Sequence, residues 1–536
     1  MSANGGWLHI ISFSGVRNLT QVMSLVCVAF LRAASALPRS AKFDVELLGG
    51  ASALSFNKIR AAYARFRALH DVVVDMDGHY GNSVVPGLQQ LLQQLAGFTS
   101  ITALILTSQG LVSFPDALCT LFGLKKLNLY GNKIVALPDA IGDLTELTEL
   151  NVGSNQLTAL PDTLGGLTGL TMLVAHDNKL ATLPESIDAL TQMKMLNVEG
   201  NKITTLLKPI FKKLTSLTTL LLGGNQLETL PDSIAALTQM KTLILFGNTF
   251  TTLPKPIAKL ASLTELDLKM NQLLTLPDAI AALTSLEELN LNNNKFTTLP
   301  IPIVKLTSLM TLDLMHNQLA TLPDSIAALT ALKQLHLSFN KFTTLPKPIA
   351  KLTSLTTLFL GGNKLVTLPD SIAVLTALKE LDLRRNQLVT LPDSIVELTA
   401  LEVLNLKYNQ LVTLPDAIAS LTVLKKLGLG RNKFATFPKP IVKLTSLTTL
   451  HLFGNQLVRL PDSIAALTAL EYLQLDDNKI VTLPNSIAAL MALEVLALYN
   501  NPLAKPQSSA VEAWLAALET GSCDGVVVDP EGDCEW

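Results

Sequence analysis

The chain has 536 residues, 49% of them hydrophobic but only 5% aromatic and 16% charged, so its apolar content is mostly small and aliphatic. Subtracting 43 acidic from 41 basic side chains leaves a net charge of −2, which offers no global attraction to nucleic acid or to an anionic membrane. The mean hydropathy of +0.39 raises the question of a membrane span. The longest uncharged apolar stretch lies between Arg17 and Arg32 and contains Asn18, Thr20 and Gln21. It falls short of the roughly 20 apolar residues that a spanning helix needs, so no integral membrane segment is expected.

Residues 1–43 hold no acidic residue, carry Arg17, Arg32, Arg39 and Lys42, and include a near-apolar run from Val22 to Leu31 followed by Ala34-Ser35-Ala36. This pattern fits a targeting-like or disordered segment. A cytoplasmic location is expected, with organelle targeting or secretion through residues 1–43 as the alternatives. The only glycosylation sequon, Asn18-Leu19-Thr20, lies inside that segment. Residues 44–100 read as an N-terminal cap with a basic amphipathic helix near 56–70, and Leu95, Phe98 and Ile101 already fall in repeat-like columns.

From residue 101 to 506 the chain repeats itself, which decides the architecture. The register is an asparagine: Asn132, Asn155, Asn178, Asn201, Asn225, Asn248, Asn271, Asn294, Asn317, Asn340, Asn363, Asn386, Asn409, Asn432, Asn455, Asn478 and Asn501, with Gln109 one step earlier. Successive members are 23 residues apart, except for 24 between Asn201 and Asn225, giving eighteen repeats. Around Asn363 the apolar positions are Leu355, Leu358, Leu360, Leu365, Leu368, Ile372 and Leu375. Leu358 and Leu360 have the period of a strand; the later ones follow a tight turn and a short helical or extended return. One coil cannot bury seven apolar side chains, but stacked coils make a continuous core with a parallel sheet along one face. The asparagine amide is expected to satisfy main-chain groups where the strand bends away, stacking as a ladder. Proline starts the turn out of the strand layer, and the Asp and Ser after it are expected to cap the short helical turn.

These residues resemble the leucine-rich repeat family in its 23-residue form LxxLxLxxNxLxxLPxxIxxLxx. The Leu368-Pro369-Asp370-Ser371-Ile372 half looks like intracellular Ras-pathway scaffolds, their plant Ras-group relatives and Scribble-type polarity proteins. The resemblance implies a curved α/β solenoid with its parallel sheet on the concave face, acting as a protein-binding scaffold, with a small GTPase or a phosphatase complex as partner. The nearest match to a phosphatase-docking motif, Val112-Ser113-Phe114, lacks the preceding basic residue. A recognition receptor or defence-type sensor acting through a separate effector is the alternative.

Several repeats carry Lys-Pro-Ile in place of Pro-Asp, at Lys208, Lys255, Lys347 and Lys439, with Ile301 in the same place of another. The alternation sets Lys255, Lys259, Lys347, Lys351, Lys439 and Lys443 beside Asp232, Asp278, Asp324, Asp370 and Asp462 on the outer surface, where a solvated ladder contributes little. The side chains four, two and one positions before each asparagine are expected to line the concave face. Those of early and middle copies are bland, as in Gly223-Gly224 and Gly361-Gly362. Between Asn248 and Asn409 come Asp267, Lys269, Asp313, His316, His336, Phe339, Phe359, Asp382, Arg384, Arg385, Lys407 and Tyr408. Aromatics and arginines beside carboxylates are what interfaces use as anchors, so the candidate partner-binding residues are Asp313, His316, His336, Phe339, Phe359, Asp382, Arg384, Arg385 and Tyr408.

Residues 507–536 read as a capping helix opened by a capping box at Ser509-Ala510-Val511-Glu512, with Val511, Trp514, Leu515 and Leu518 on its apolar face, and a solvated acidic tail. No nucleotide-binding, metalloprotease, serine-hydrolase or kinase motif occurs, and no block outside the repeats has room for an average catalytic domain. The four cysteines, Cys27, Cys119, Cys523 and Cys534, are too scattered for a zinc site of the paired kind. The expectation is a protein that is not an enzyme, with no catalytic, cofactor-binding or metal-binding residue.

Overall fold

A computed structural model describes residues 72–75 and 101–521. The chain divides into two compact units, Met1–Glu265 and Leu266–Trp536. The expected helix near 56–70, the targeting-like segment, Cys523, Cys534 and the acidic tail lie outside the described residues.

Each unit is built from the same coil. In the first unit the strand Ile101–Ile105 pairs in parallel with Val72–Asp75, which the sequence reading had not identified as a strand. The strands Lys126–Asn128, Glu149–Asn151, Met172–Val174, Met195–Asn197, Thr219–Leu221 and Thr242–Ile244 follow, each parallel to the one before. Partners are 23 residues apart, as Lys126 with Glu149, except that Met195 pairs with Thr219, where the repeat is one residue longer. In the second unit the strands run in the same way from Glu288–Asn290 to Val495–Ala497. The three-residue strands are short because only the central leucine points inward: Leu358 is fully buried, while Thr357 and Phe359 on either side are half-buried on the open face. All seven apolar positions of the repeat around Asn363 are buried, and Phe211, Phe250, Phe296, Phe342 and Phe434 fill the wider parts of the core.

The return path is a five-residue 3-10 turn in nearly every coil, as at Asp370–Val374. Here the expected capping by Asp or Ser is corrected. The residue that opens the turn is the proline, extended at φ −75° and ψ 152° for Pro369, and no side chain bonds to the turn's first N–H groups. The Pro369 carbonyl accepts from Ile372 N–H, and Asp370 sits exposed at the first turn position. Ser394 and Ser486 donate instead to Asp370 and Asp462 of the preceding coil. Where Leu207 replaces that proline, only turns form, with no 3-10 helix. Lys255, Lys259, Lys347, Lys351, Lys439 and Lys443 are exposed on these returns.

The asparagines are 5–8% exposed from Asn132 to Asn478. Asn317 shows the arrangement. Its Oδ1 accepts from Phe296 N–H at 3.0 Å, and its Nδ2 lies 3.0, 3.2 and 3.1 Å from the carbonyl oxygens of Leu291, Leu314 and Met315. The amide thus binds both its own turn and the coil before it. The pattern holds at Asn132 and at Asn501, the ends of the series.

At the C-terminus the helix Ser509–Gly521, here α1, buries Val511 and Trp514 against the turn Asn485–Ala489. Its cap is shifted by one residue from the sequence expectation. Ser508 Oγ accepts from Val511 N–H at 3.3 Å, and Glu512 reaches back to Gln507 N–H at 3.0 Å.

Candidate protein-binding face

The open face of the second unit follows from strand geometry. Residues six and four positions before the asparagine flank the inward leucine and point outward, and residues two and one before it sit on the turn. Asp313, His336, Phe359 and Asp382 are Cα partners on four consecutive strands, so they form one column with rungs about 4.8 Å apart. The His336 ring stacks on Phe359, centroids 4.6 Å apart at 18°, and its Nδ1 lies 3.9 Å from Asp313 Oδ2. Asp382 is 8% exposed; its oxygens take Arg384 N–H at 2.9 Å and Arg384 Nε at 3.0 Å. Burial raises the Asp382 carboxyl above the usual carboxylate range, although Arg384 and Lys407 pull the other way.

The second column stands one residue before the asparagines. His316 stacks on Phe339 at 4.4 Å and 3°, and the Arg385 guanidinium lies 4.6 Å from the centre of the Tyr408 ring. These four residues hold left-handed backbone, with φ of 50°, 54°, 53° and 57°. Every repeat needs that conformation at this position to turn out of the strand, and glycine takes it freely. The first unit uses Gly131, Ser154, Asp177, Gly200, Gly224 and Gly247 there. The second unit keeps Gly362, Gly454, Asn293, Asp477 and Asn500 there but also places Met270, His316, Phe339, Arg385, Tyr408 and Arg431 at the same point, where an L side chain costs about 1–2 kcal/mol.

Two glycines join the columns. A Cβ on Gly362 would stand 2.5 Å from the Phe339 ring, and one on Gly361 would stand 3.0 Å from Arg384 Cγ. Phe339 therefore leans over Gly362 and Arg384 over Gly361. The nine residues singled out in the sequence fall in this region, in four contacting sets: Asp313 with His336 and Phe359, His316 with Phe339, Arg385 with Tyr408, and Asp382 with Arg384.

The face extends beyond what the sequence reading covered. Phe453 lies 6.0 Å edge-on to Tyr408, above Gly430, where a Cβ would overlap its ring. His451 lies 5.2 Å from Tyr472 and 6.5 Å from Phe453. Lys407 is 8% exposed, with Nζ 6.0 Å from the Phe453 ring centre. Burial, then the charges of Lys407 and Lys426, depress the His451 imidazole to about 3. Glu380, Lys426 and Tyr472 belong to the column six before the asparagine. The two-residue period of the strand would have revealed that column, since it faces the same way as the position four before.

Cys119 in the first unit is buried, and burial followed by Asp116 and Asp143 pushes its thiol up to about 11, which favours the protonated form near neutral pH. Phe114 of the partial phosphatase-docking match is only 6% exposed and belongs to the core, which removes it from docking.

A family profile described as a leucine-rich repeat region matches residues 84–220, 277–363 and 415–519, and one described as a leucine rich repeat matches 191–250 and 376–434. No curated protein matches the chain significantly. Among solved structures, a leucine-rich repeat protein of Leptospira interrogans is 33% identical with a TM-score of 0.59, the match covering 82% of this chain and 98% of that one. A plant peptide hormone receptor, solved in complex with its peptide RGF2, is 25% identical with a TM-score of 0.57, over 76% of this chain and 78% of that one. The ectodomain of an Arabidopsis thaliana membrane receptor kinase, GASSHO1/SCHENGEN3, is 26% identical with a TM-score of 0.56, over 82% and 60%.

Proposed function

This chain belongs to the leucine-rich repeat family, and on that premise we propose that it is a non-catalytic scaffold or adaptor that binds a protein partner on the strand face of its second unit. The observation that carries this reading is the set of bulky side chains held in left-handed backbone. Glycine takes that conformation freely, so Phe339, Arg385 and Tyr408 stand where the backbone gives no reason for a bulky side chain. Phe339 and Phe359 supply apolar area at small entropic cost, and Arg384 and Arg385 supply donors in a fixed fork.

The partner proposed from the repeat type is a component of small-GTPase signalling. A phosphatase complex is the weaker choice, given the buried Phe114. The recognition receptor is the second reading, favoured by the likeness to plant receptor ectodomains solved with peptides. Among the described residues no helix is long and apolar enough to cross a membrane. The cytoplasmic location belongs to the proposal, with an organelle or secretion as alternatives.

The test is a pull-down with the full chain followed by titration of two double variants. Phe359→Ala with Arg384→Ala is expected to weaken the partner at least tenfold, or about 1.4 kcal/mol, without changing the fold. Lys347→Ala with Lys351→Ala, on the returns, is expected to be nearly silent. A weakened outer pair beside a silent inner pair refutes the assignment. Recovery of a GTPase favours the scaffold, and recovery of a foreign peptide or glycan favours the sensor.

A further inference from the structure

We propose that this face takes an extended acidic segment of a protein partner, laid along the columns with an apolar side chain on the His336–Phe359 platform and carboxylates against the cations that follow it. The inference rests on the reading above, that the strand face of the second unit is the binding face. It adds the chemistry of the partner.

The charges carry it. In the three repeats ending at Asn386, Asn409 and Asn432, the outward columns hold Arg384, Arg385, Lys407, Lys426 and Arg431 against Glu380 and Asp382. Asp382 is already engaged by Arg384. Arg385 is exposed and, among the described residues, forms no ion pair; its guanidinium lies over the Tyr408 ring. Arg431 is also exposed and reaches Asp477 at 3.2 Å, two repeats on, leaning across Gly454. An acidic segment meets the exposed guanidinium groups of Arg385 and Arg431 here.

The spacing sets the motif. His336 and Tyr408 stand three repeats apart, about 14 Å along the stack at 4.8 Å per rung. An extended chain covers that in about four residues at 3.3 Å each. Gly361 and Gly362 leave bare backbone between the platform and the cations, with Arg384 over one and Phe339 over the other, so a single short segment can touch both. An apolar residue with carboxylates about three to five positions away is the sequence this face would read.

The probe is a fluorescent peptide with one leucine and, four residues on, Asp-Glu, the rest Gly and Ser, compared with its Asn-Gln analogue by anisotropy on the full chain. The acidic peptide is expected to bind at least tenfold more tightly, with the difference shrinking as salt rises. Arg385→Glu with Arg431→Glu is expected to remove the preference, and Lys347→Glu with Lys351→Glu to leave it. Equal binding of the two peptides, or a preference that survives the inner charge reversal, overturns the inference. If that happens while Phe359→Ala with Arg384→Ala still weakens a captured partner, the binding face stands and only the acidic chemistry falls. If neither responds, both readings fall. One competing occupant is the chain's own residues 524–535. Changing Asp524, Asp529, Glu531, Asp533 and Glu535 to their amides in the full chain tests it: a tenfold gain in probe binding would assign the face to that segment and overturn the proposed partner.

Discussion

Replacing Asn317 with alanine isolates the ladder's energetic role, because the groups it would leave behind can be counted. Of its four main-chain partners, three keep another donor. The Leu291 carbonyl also accepts from Asn294, Leu314 from Asn340, and Met315 from the Asn293 N–H. Phe296 N–H is different: Asn317 Oδ1 is the acceptor the structure gives it, and that site is buried. The loss therefore reduces mainly to one orphaned buried N–H, about 1–3 kcal/mol, well below the sum of four hydrogen bonds. A long repeat array unfolds locally, so global denaturation would blur the effect. Amide hydrogen exchange read by mass spectrometry over residues 291–319 is the sharper assay. Protection there should fall by roughly 5- to 150-fold, the equivalent of that energy, while the peptides around Asn478 stay unchanged. A change below about twofold would mean that water or a shifted backbone replaces the amide without cost, and the counting would be wrong.

Asn317→Asp should be worse than alanine near neutral pH, since a buried carboxylate would face the Leu291, Leu314 and Met315 carbonyls. Its raised carboxyl makes the damage recede as pH falls through and below its folded value, measurable by exchange at two pH values. His451 acts on acid stability with the sign of a depressed base: the unfolded imidazole protonates near 6.5 and the folded one near 3, so stability falls as pH drops below 6.5. Between pH 7 and pH 5 this should cost about 2 kcal/mol, which His451→Gln should abolish in urea titrations; an unchanged difference rejects it. Arg385→Gly should leave stability nearly unchanged, because relief of left-handed strain offsets added chain entropy, yet weaken the acidic probe at least tenfold. Trp514→Ala should cost about 3–5 kcal/mol locally and expose residues 485–497 to exchange or self-association by light scattering.

The repeat architecture was legible because its signal is repeated seventeen times over. Leucine spacing sets the coil, and the invariant amide marks the turn. What stayed hidden was decided by conformation instead of by residue type. Met270, Phe339 and Tyr408 carry no local signal for left-handed backbone, yet Gly131, Gly200 and Gly362 in the same column were the clue that the column requires it. The Asp and Ser after each proline matched a cap pattern, but the proline carbonyl already accepts the turn's N–H. The candidate face was found in part, since the columns two and four before the asparagine are simple arithmetic. Its extension lies past Asn409: His451 and Phe453 stand four and two before Asn455, and Tyr472 stands six before Asn478, in the column on the other side of the inward leucine.

The asparagine ladder also has a direction. Within each unit Oδ1 and one Nδ2 bond reach to the coil on the N-terminal side, as from Asn340 to Leu319 N–H and the Leu314 carbonyl. Each coil is thus finished by its successor. On a chain synthesised from the N-terminus, the newest coil is always the one still waiting for its bonds, and completion trails growth by one repeat. In-frame duplication of a 23-residue segment preserves that dependence on both sides of the new joint, which lets such arrays lengthen without redesign. The end is the exception, and there the chain departs from the repeat: Gln507 Oε1 accepts from Leu483 N–H, and α1 closes the stack.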